Sequence, residues 1–185
     1  KLVICEKPLT RSVRETRQIV GRYKKARIPL LVNYSRRFDT TVQGLKHDFE
    51  VGKYGRVLSA TGIYTKGLVH NGLHMIDLAR YLFGEVLEAT ALSSRQDAPD
   101  VGESVAAFLR FQRCKEFHLA MGDEQCYSIF ALDILTERGR IHLQNFGFEL
   151  SWQTVQKDSR YAGFRALGEP TVRKTDLPYA LSALI

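Results

Sequence analysis

The pattern of apolar runs changes character once along this chain, and that change limits the fold more than any other feature. Residues 2–5 (L-V-I-C) and Leu30–Val32 (L-L-V) are short, continuously apolar runs of the kind that buried parallel strands show. One helical segment separates them. Thr10 or Ser12 caps it, Glu15 stands three residues after Ser12 in capping-box position, and Val13, Ile19, Val20 and Tyr23 mark its apolar face to about Ala26. Strand, helix and strand at this spacing predict a βαβ unit with a right-handed crossover.

After residue 34 the style differs. Residues 39–53 read as an amphipathic helix with Gly52 and Gly55 at its exit, 57–65 as a strand, and 71–83 as a helix stopped by Gly84. Six strand-like segments then follow in succession: 86–94, 104–112, 116–122, 127–136, 140–146 and 148–154. The E-R-G-R turn at 137–140 reads as a hairpin, with Gly139 expected at positive φ. Residues 176–185 open a final helix. The prediction is an α+β fold: a large, mostly antiparallel open-faced sheet with helices on one face, preceded by the last βαβ unit of a doubly wound domain. Residues 1–34 would form the remnant of that first domain, and 35–185 a second domain for substrate binding and oligomerisation. Strands such as 105–111 carry apolar residues at many positions, so the second face of the sheet is expected to meet another copy, in a homodimer or homotetramer.

Composition narrows the function classes. An apolar fraction of 44% with 25% charged residues is that of a folded domain with a proper core, not a disordered chain. No stretch approaches the roughly 18 consecutive apolar residues of a membrane span, and no membrane partner is expected. The net charge of +7 is densest at residues 22–27 (R-Y-K-K-A-R), behind Arg11, Arg14 and Arg17, where it reads as the solvated face of the first helix. Without zinc-finger spacing or an aromatic RNA-binding signature, nucleic acid is not expected as a partner. Cys5, Cys114 and Cys126 have neither disulfide-framework nor metal-ligand spacing, which points to a reducing cytoplasm and no metal.

Chemistry concentrates in two places. Lys7 precedes Pro8, which holds the lysine backbone extended at the end of the first strand, and the ammonium there suits stabilising negative charge on a reacting oxygen. A surface lysine paired with Glu6 is the plainer reading. His74 falls in the first turn of the helix that follows Gly72. Its ordinary pKa, about 6.5, suits proton transfer, and a helix amino terminus favours the neutral base. A satisfied, half-buried histidine is the alternative. Asp77, one turn on, either orients His74 or pairs with Arg80. His70 and His74 have the i,i+4 spacing of metal ligands, but no third ligand is suggested nearby. Asn33 and Arg36 follow the second strand and are candidates for a cofactor or a carboxylate; Arg37 is expected in an ion pair, for example with Asp39. Tyr64 and Lys66 close the strand before the histidines, within reach of a substrate by position.

Four short motifs occur in order: E-K-P at Glu6, Lys7 and Pro8; N-Y-S-R-R-F-D from Asn33; G-L-H-M-I-D from Gly72; and L-D-I-L-T-E-R-G-R-I from Leu132. In this the chain resembles the Gfo/Idh/MocA oxidoreductases, the glucose–fructose oxidoreductase and inositol dehydrogenase relatives. The resemblance covers nearly the whole chain. It implies an amino-terminal Rossmann domain binding NAD or NADP, and a second domain on an open antiparallel sheet that mediates dimers or tetramers. It places Lys7 at the catalytic and nicotinamide site and His74 in catalysis or substrate contact; by position, Glu6, Pro8, Asn33 and Arg36 are expected near the cofactor, and His70, Asn71, Asp77 and Tyr64 near the substrate. The implied activity is NAD(P)-dependent hydride transfer on a sugar, polyol or nucleotide-sugar derivative; a sugar or dinucleotide sensor without turnover is the alternative. His70 stands where the family commonly has an aspartate, a departure that bears on the substrate class. The glycine-rich dinucleotide loop is not found, and the chain does not start at methionine. It is therefore expected to be a carboxy-terminal part, with two or three βαβ units of about 30 residues each upstream.

Overall fold

The computed structural model describes residues 1–98 and 101–174. The helix expected at 176–185 lies outside them. The chain divides into two compact units, Lys1–Ser35 and the remainder from Arg36.

The first unit is β1 (Val3–Cys5), α1 (Val13–Ala26) and β2 (Leu30–Val32), with the strands parallel and Val3, Ile4 and Cys5 opposite Leu30, Leu31 and Val32. The Ser12 hydroxyl accepts from the Glu15 N–H, one of the donors a helix start leaves unpaired, and Arg27 closes the helix in a left-handed cap. No α1 residue is buried, and Ile4 and Val13 are 63% and 68% exposed.

The second unit begins with a 3₁₀ turn, Ser35–Phe38, that leads into α2 (Thr40–Glu50). The Asp39 carboxylate caps α2, accepting from the N–H groups of Thr41 and Val42. Then come β3 (Val57–Tyr64), a π-helical segment (Gly67–Gly72) and α3 (Leu73–Phe83). The remaining strands are β4 (Val86–Gln96), β5 (Glu103–Phe111), β6 (Phe117–Met121), β7 (Phe130–Thr136), β8 (Gly139–Gln144), β9 (Glu149–Lys157), β10 (Arg165–Leu167) and β11 (Thr171–Lys174). Their order across the sheet is β10-β9-β8-β7-β3-β6-β5-β4, with β11 also pairing β9.

All neighbours are antiparallel except β3 and β6, because the early strand β3 is inserted between β6 and β7. The sheet is mostly antiparallel, as expected, but it is not an unbroken run of hairpins. The short strands β10 and β11 went unread; they share the outer edge of β9, at its end and its start respectively.

Strand alternation sorts the sheet into two faces. One row runs Leu109, Phe117, Ala60, Ile134, Ile141 and Trp152, and the next Ala107, Leu119, Gly62, Leu132, Leu143 and Leu150. Against them α3 presents Met75, Leu78, Ala79, Leu82 and Phe83 at helical spacing, and α2 presents Val42 and Leu45. Gly62 is required there: a Cβ would stand 2.7 Å from the Met75 side chain and 2.9 Å from the Phe117 ring. The other face carries Thr61, Asp133, His142 and Ser151 in one row and Ser59, Leu135 and Arg140 in the next. Among the described residues of this unit, neither α2 nor α3 covers it.

Gly139 departs from expectation. It does not take positive φ. It is glycine because a Cβ would lie 2.0 Å from the Gln153 carbonyl oxygen across the β8–β9 pairing.

Candidate functional site

In the first unit the site residues gather at the carboxyl ends of β1 and β2. Asn33 Nδ2 donates to Glu6 Oε1 at 2.8 Å, joining the two strand ends, and the Asn33 N–H donates to the Cys5 carbonyl at 2.8 Å. Lys7 follows Glu6, half-buried, and its peptide bond to Pro8 is cis. Burial lowers the Lys7 amine from its ordinary pKa, and the Glu6 carboxylate opposes that shift in part.

In the second unit the helix expected to begin near Asn71 begins at Leu73. His70 and Asn71 lie in the wider π turn before it, with His70 exposed, and His74 occupies the first α-helical turn, half-buried. Lys66 and Gly67, at φ 67° and 70°, swing the chain from β3 into this segment. Gly72 lets it settle on the sheet: a Cβ there would stand 3.1 Å from the Tyr64 ring and 2.8 Å from Leu68. Single π turns of this kind recur at functional positions in helices. Among the described residues, no group of three His, Cys, Asp or Glu side chains is placed to hold a metal ion.

Two expected ion pairs need correction, and two further site candidates are engaged in the fold itself. Tyr64 is held by strand β5. Its ring is fully buried, and its hydroxyl accepts from the Val105 N–H at 2.8 Å and donates to the Val105 carbonyl at 2.9 Å, satisfying β5 where strand pairing stops. Asp77 does not pair with Arg80, which binds Glu85 at 2.6 Å. Asp77 instead accepts two bonds from Arg37, Nε to Oδ2 at 2.7 Å and Nη2 to Oδ1 at 2.6 Å. Arg37 therefore does not pair with Asp39, whose carboxylate is the α2 cap.

Arg36 has structural partners of its own as well. Its guanidinium lies 3.9 Å over the Phe130 ring, and a Cβ on Gly147 would come within 2.4 Å of Nη1. Burial lowers its pKa to about 10, with Asp39 opposing. Asn145, Phe146 and Gly147 all take positive φ, at 51°, 56° and 84°, to wrap this group. The guanidinium thus packs within the second unit, and among the described residues its buried Nε has no hydrogen-bond partner.

The Arg37–Asp77 clamp was missed by sequence reasoning. It fixes α3 one turn after His74 to the turn that opens the second unit, across 40 residues of sequence that no local pattern spans.

Comparison with known proteins puts these features in context. No family model matches the chain. The D-apiose dehydrogenase of Rhizobium rhizogenes is 29% identical over 123 residues, 57% of this chain and 36% of that protein. The myo-inositol 2-dehydrogenase of Thermotoga maritima is 31% identical over 106 residues, 48% of this chain and 30% of that protein. The chain thus spans about a third of the length of these curated relatives. Among solved structures, a levoglucosan dehydrogenase in complex with NADH and L-sorbose matches with a TM-score of 0.70 and 23% identity, over 94% of this chain and 54% of that one. The first two are similar in sequence and the third in fold, and together they bear out the resemblance of this chain to the carboxy-terminal part of Gfo/Idh/MocA oxidoreductases.

Proposed function

We propose that this chain forms part of an NAD- or NADP-dependent dehydrogenase that acts on a hydroxyl-rich small molecule, a sugar or a polyol. The observation that carries the reading is the sequence similarity to dehydrogenases of apiose and inositol in a chain that keeps both Lys7 and His74. The residues fit a nicotinamide cofactor: the carboxyl ends of parallel strands are where doubly wound sheets bind ligands, and Glu6, Lys7 and Asn33 stand at the ends of β1 and β2. When bound, the nicotinamide accepts or gives the hydride. Lys7 donates a hydrogen bond to the reacting oxygen, and its lowered pKa reflects an amine held partly out of water. His74 takes the hydroxyl proton as the C–H bond breaks and returns it in the reverse direction. His70 and Asn71, just before His74, bear on which substrate enters.

The exposed apolar residues of the first unit, Leu2, Ile4, Val13 and Val20, support a sheet continued by further Rossmann strands of the whole enzyme. The uncovered face of the second unit supports association as a homodimer or homotetramer.

The test is a panel of sugars and polyols, apiose, inositol, levoglucosan and sorbose among them, incubated with the full-length protein and NAD⁺ or NADP⁺ while nicotinamide absorbance is followed. Reduction with at least one member is the expected result. Saturable sugar or dinucleotide binding with no absorbance change across the panel would replace the enzyme by a sensor, the reading that His70 favours.

A further inference from the structure

The residues that end β4 and begin β5 reach back to the segment carrying His70 and His74. Their anchor is Asp97, the residue after β4, whose side chain is only 6% exposed. Its Oδ2 accepts from the Ser104 hydroxyl at 2.5 Å, and its Oδ1 from Arg95 Nη2 at 3.0 Å and Nε at 3.2 Å. Its own N–H donates to the Gly102 carbonyl at 3.0 Å, fixing it against the start of β5. The carboxylate takes one partner more, the N–H of Gly67, the first residue of the π segment. The Ser104 bond foremost, with Arg95 and the Gly67 N–H, holds this carboxyl below its ordinary pKa against partial burial.

Gly67 is pinned from a second side. At φ 70° it lies so close to Val101 that a Cβ would stand 2.5 Å from the Val101 carbonyl oxygen. Arg95 ties the same node to the loop between β6 and β7: Nη2 donates to the Gly122 carbonyl at 2.7 Å, and Nη1 lies 3.5 Å from Asp123 Oδ2. In that loop Glu124 meets Lys66, the residue before Gly67, at 3.5 Å.

The segment needs such a hold, because its register is not the one a helix adopts unaided. Leu73 N–H donates to the Leu68 carbonyl, five residues back, where an α-helix would use Val69. Slipping to the α ladder by one residue would turn residues 67–71 by about 100° about the helix axis relative to His74. His70 and Asn71 would then leave the places they hold beside it.

We propose that Asp97 is a positioning residue for the proposed reaction: it fixes Gly67, so that the π register persists and His70 and His74 keep their places toward the substrate. The inference rests on the dehydrogenase reading only for what His74 does once it is placed.

The test uses the full-length protein with Asp97→Ala and, as an independent route to the same displacement, Gly67→Ala, whose Cβ pushes the chain off Val101. Amide hydrogen exchange is followed segment by segment by mass spectrometry. Both variants should speed exchange over 67–73 about tenfold or more while β7 and β8 exchange as in the unaltered protein, which a general loss of stability would not allow. On the best substrate kcat should fall about tenfold or more, and KM for the nicotinamide cofactor should stay within about twofold. Exchange that is unchanged at 67–73, or faster around Asp97 alone, overturns the proposal and leaves the dehydrogenase reading standing. Faster exchange at 67–73 with kcat intact overturns it too. If the unaltered protein binds sugar without turnover, the dehydrogenase reading fails by itself, and sugar affinity in the two variants, expected to weaken about tenfold, decides this proposal in place of kcat.

Discussion

At the scale of single residues, two charged pairs on α3 differ in what surrounds them. Asp77 is buried and holds Arg37 through two hydrogen bonds, whereas Arg80 and Glu85 meet in solvent. Asp77→Asn should therefore cost about 2 kcal/mol in urea unfolding, because it removes charge-assisted bonds from a desolvated place. Arg80→Gln should stay within about 0.5 kcal/mol. Equal losses would contradict the assignment of the clamp. Cys114 makes a pH prediction. It is fully buried, and burial pushes its thiol from an ordinary value of 9 up to about 11. A group whose acid form is favoured in the fold contributes stability that is fully present below the unfolded pKa and is lost as pH rises toward the folded one. The stability difference between the native chain and Cys114→Ala should thus be constant below about pH 9 and shrink by about 2 kcal/mol between pH 9 and 11. A difference unchanged up to pH 11 would remove the claim.

Among elements, glycines that look alike in the sequence separate by what their missing Cβ would meet. Gly139 faces the Gln153 carbonyl across a strand pair, while Gly44 sits exposed on α2 with nothing within 4 Å. Gly139→Ala should cost about 2 kcal/mol or more by forcing β8 from β9, and Gly44→Ala should gain about 0.5–1 kcal/mol from helix propensity. Thermal unfolding of the two variants checks both signs. The contrast also shows where sequence reading stopped. The βαβ unit, α2, α3 and β4–β9 were legible because each is set by local periodicity and caps, as with Ser12 and Asp39. Insertion of β3 between β6 and β7 was not, since strand order depends on contacts far apart in the chain. The π turn before His74 was read as helix because its residues keep nearly helical spacing. Position along a strand did not reveal that the Tyr64 hydroxyl is used twice by Val105. Nor did it reveal the packing of Arg36 against Gly147, which leaves no local signature.

For the whole molecule, the sheet face opposite α2 and α3 carries Leu135, Phe108 and Ala131 among Asp133, Arg140 and His142. A face of this composition supports a partner of the same kind, and light scattering should find a dimer or larger species. Leu135→Glu, at a position 44% exposed, should shift that population toward monomer with the fold intact. A strict monomer at all concentrations would contradict the association.

Lys7 and His74 are proposed to serve a single reaction, the one as hydrogen-bond donor to the reacting oxygen and the other in proton transfer. This is tested most directly by a double-mutant cycle in the full-length protein, Lys7→Ala and His74→Ala singly and together, with kcat followed by nicotinamide absorbance on its best substrate. Groups acting on one step are strongly non-additive, so each single variant should lose about 100-fold or more and the double variant little beyond the worse of the two. Full turnover in Lys7→Ala, or losses that simply multiply, would contradict the account.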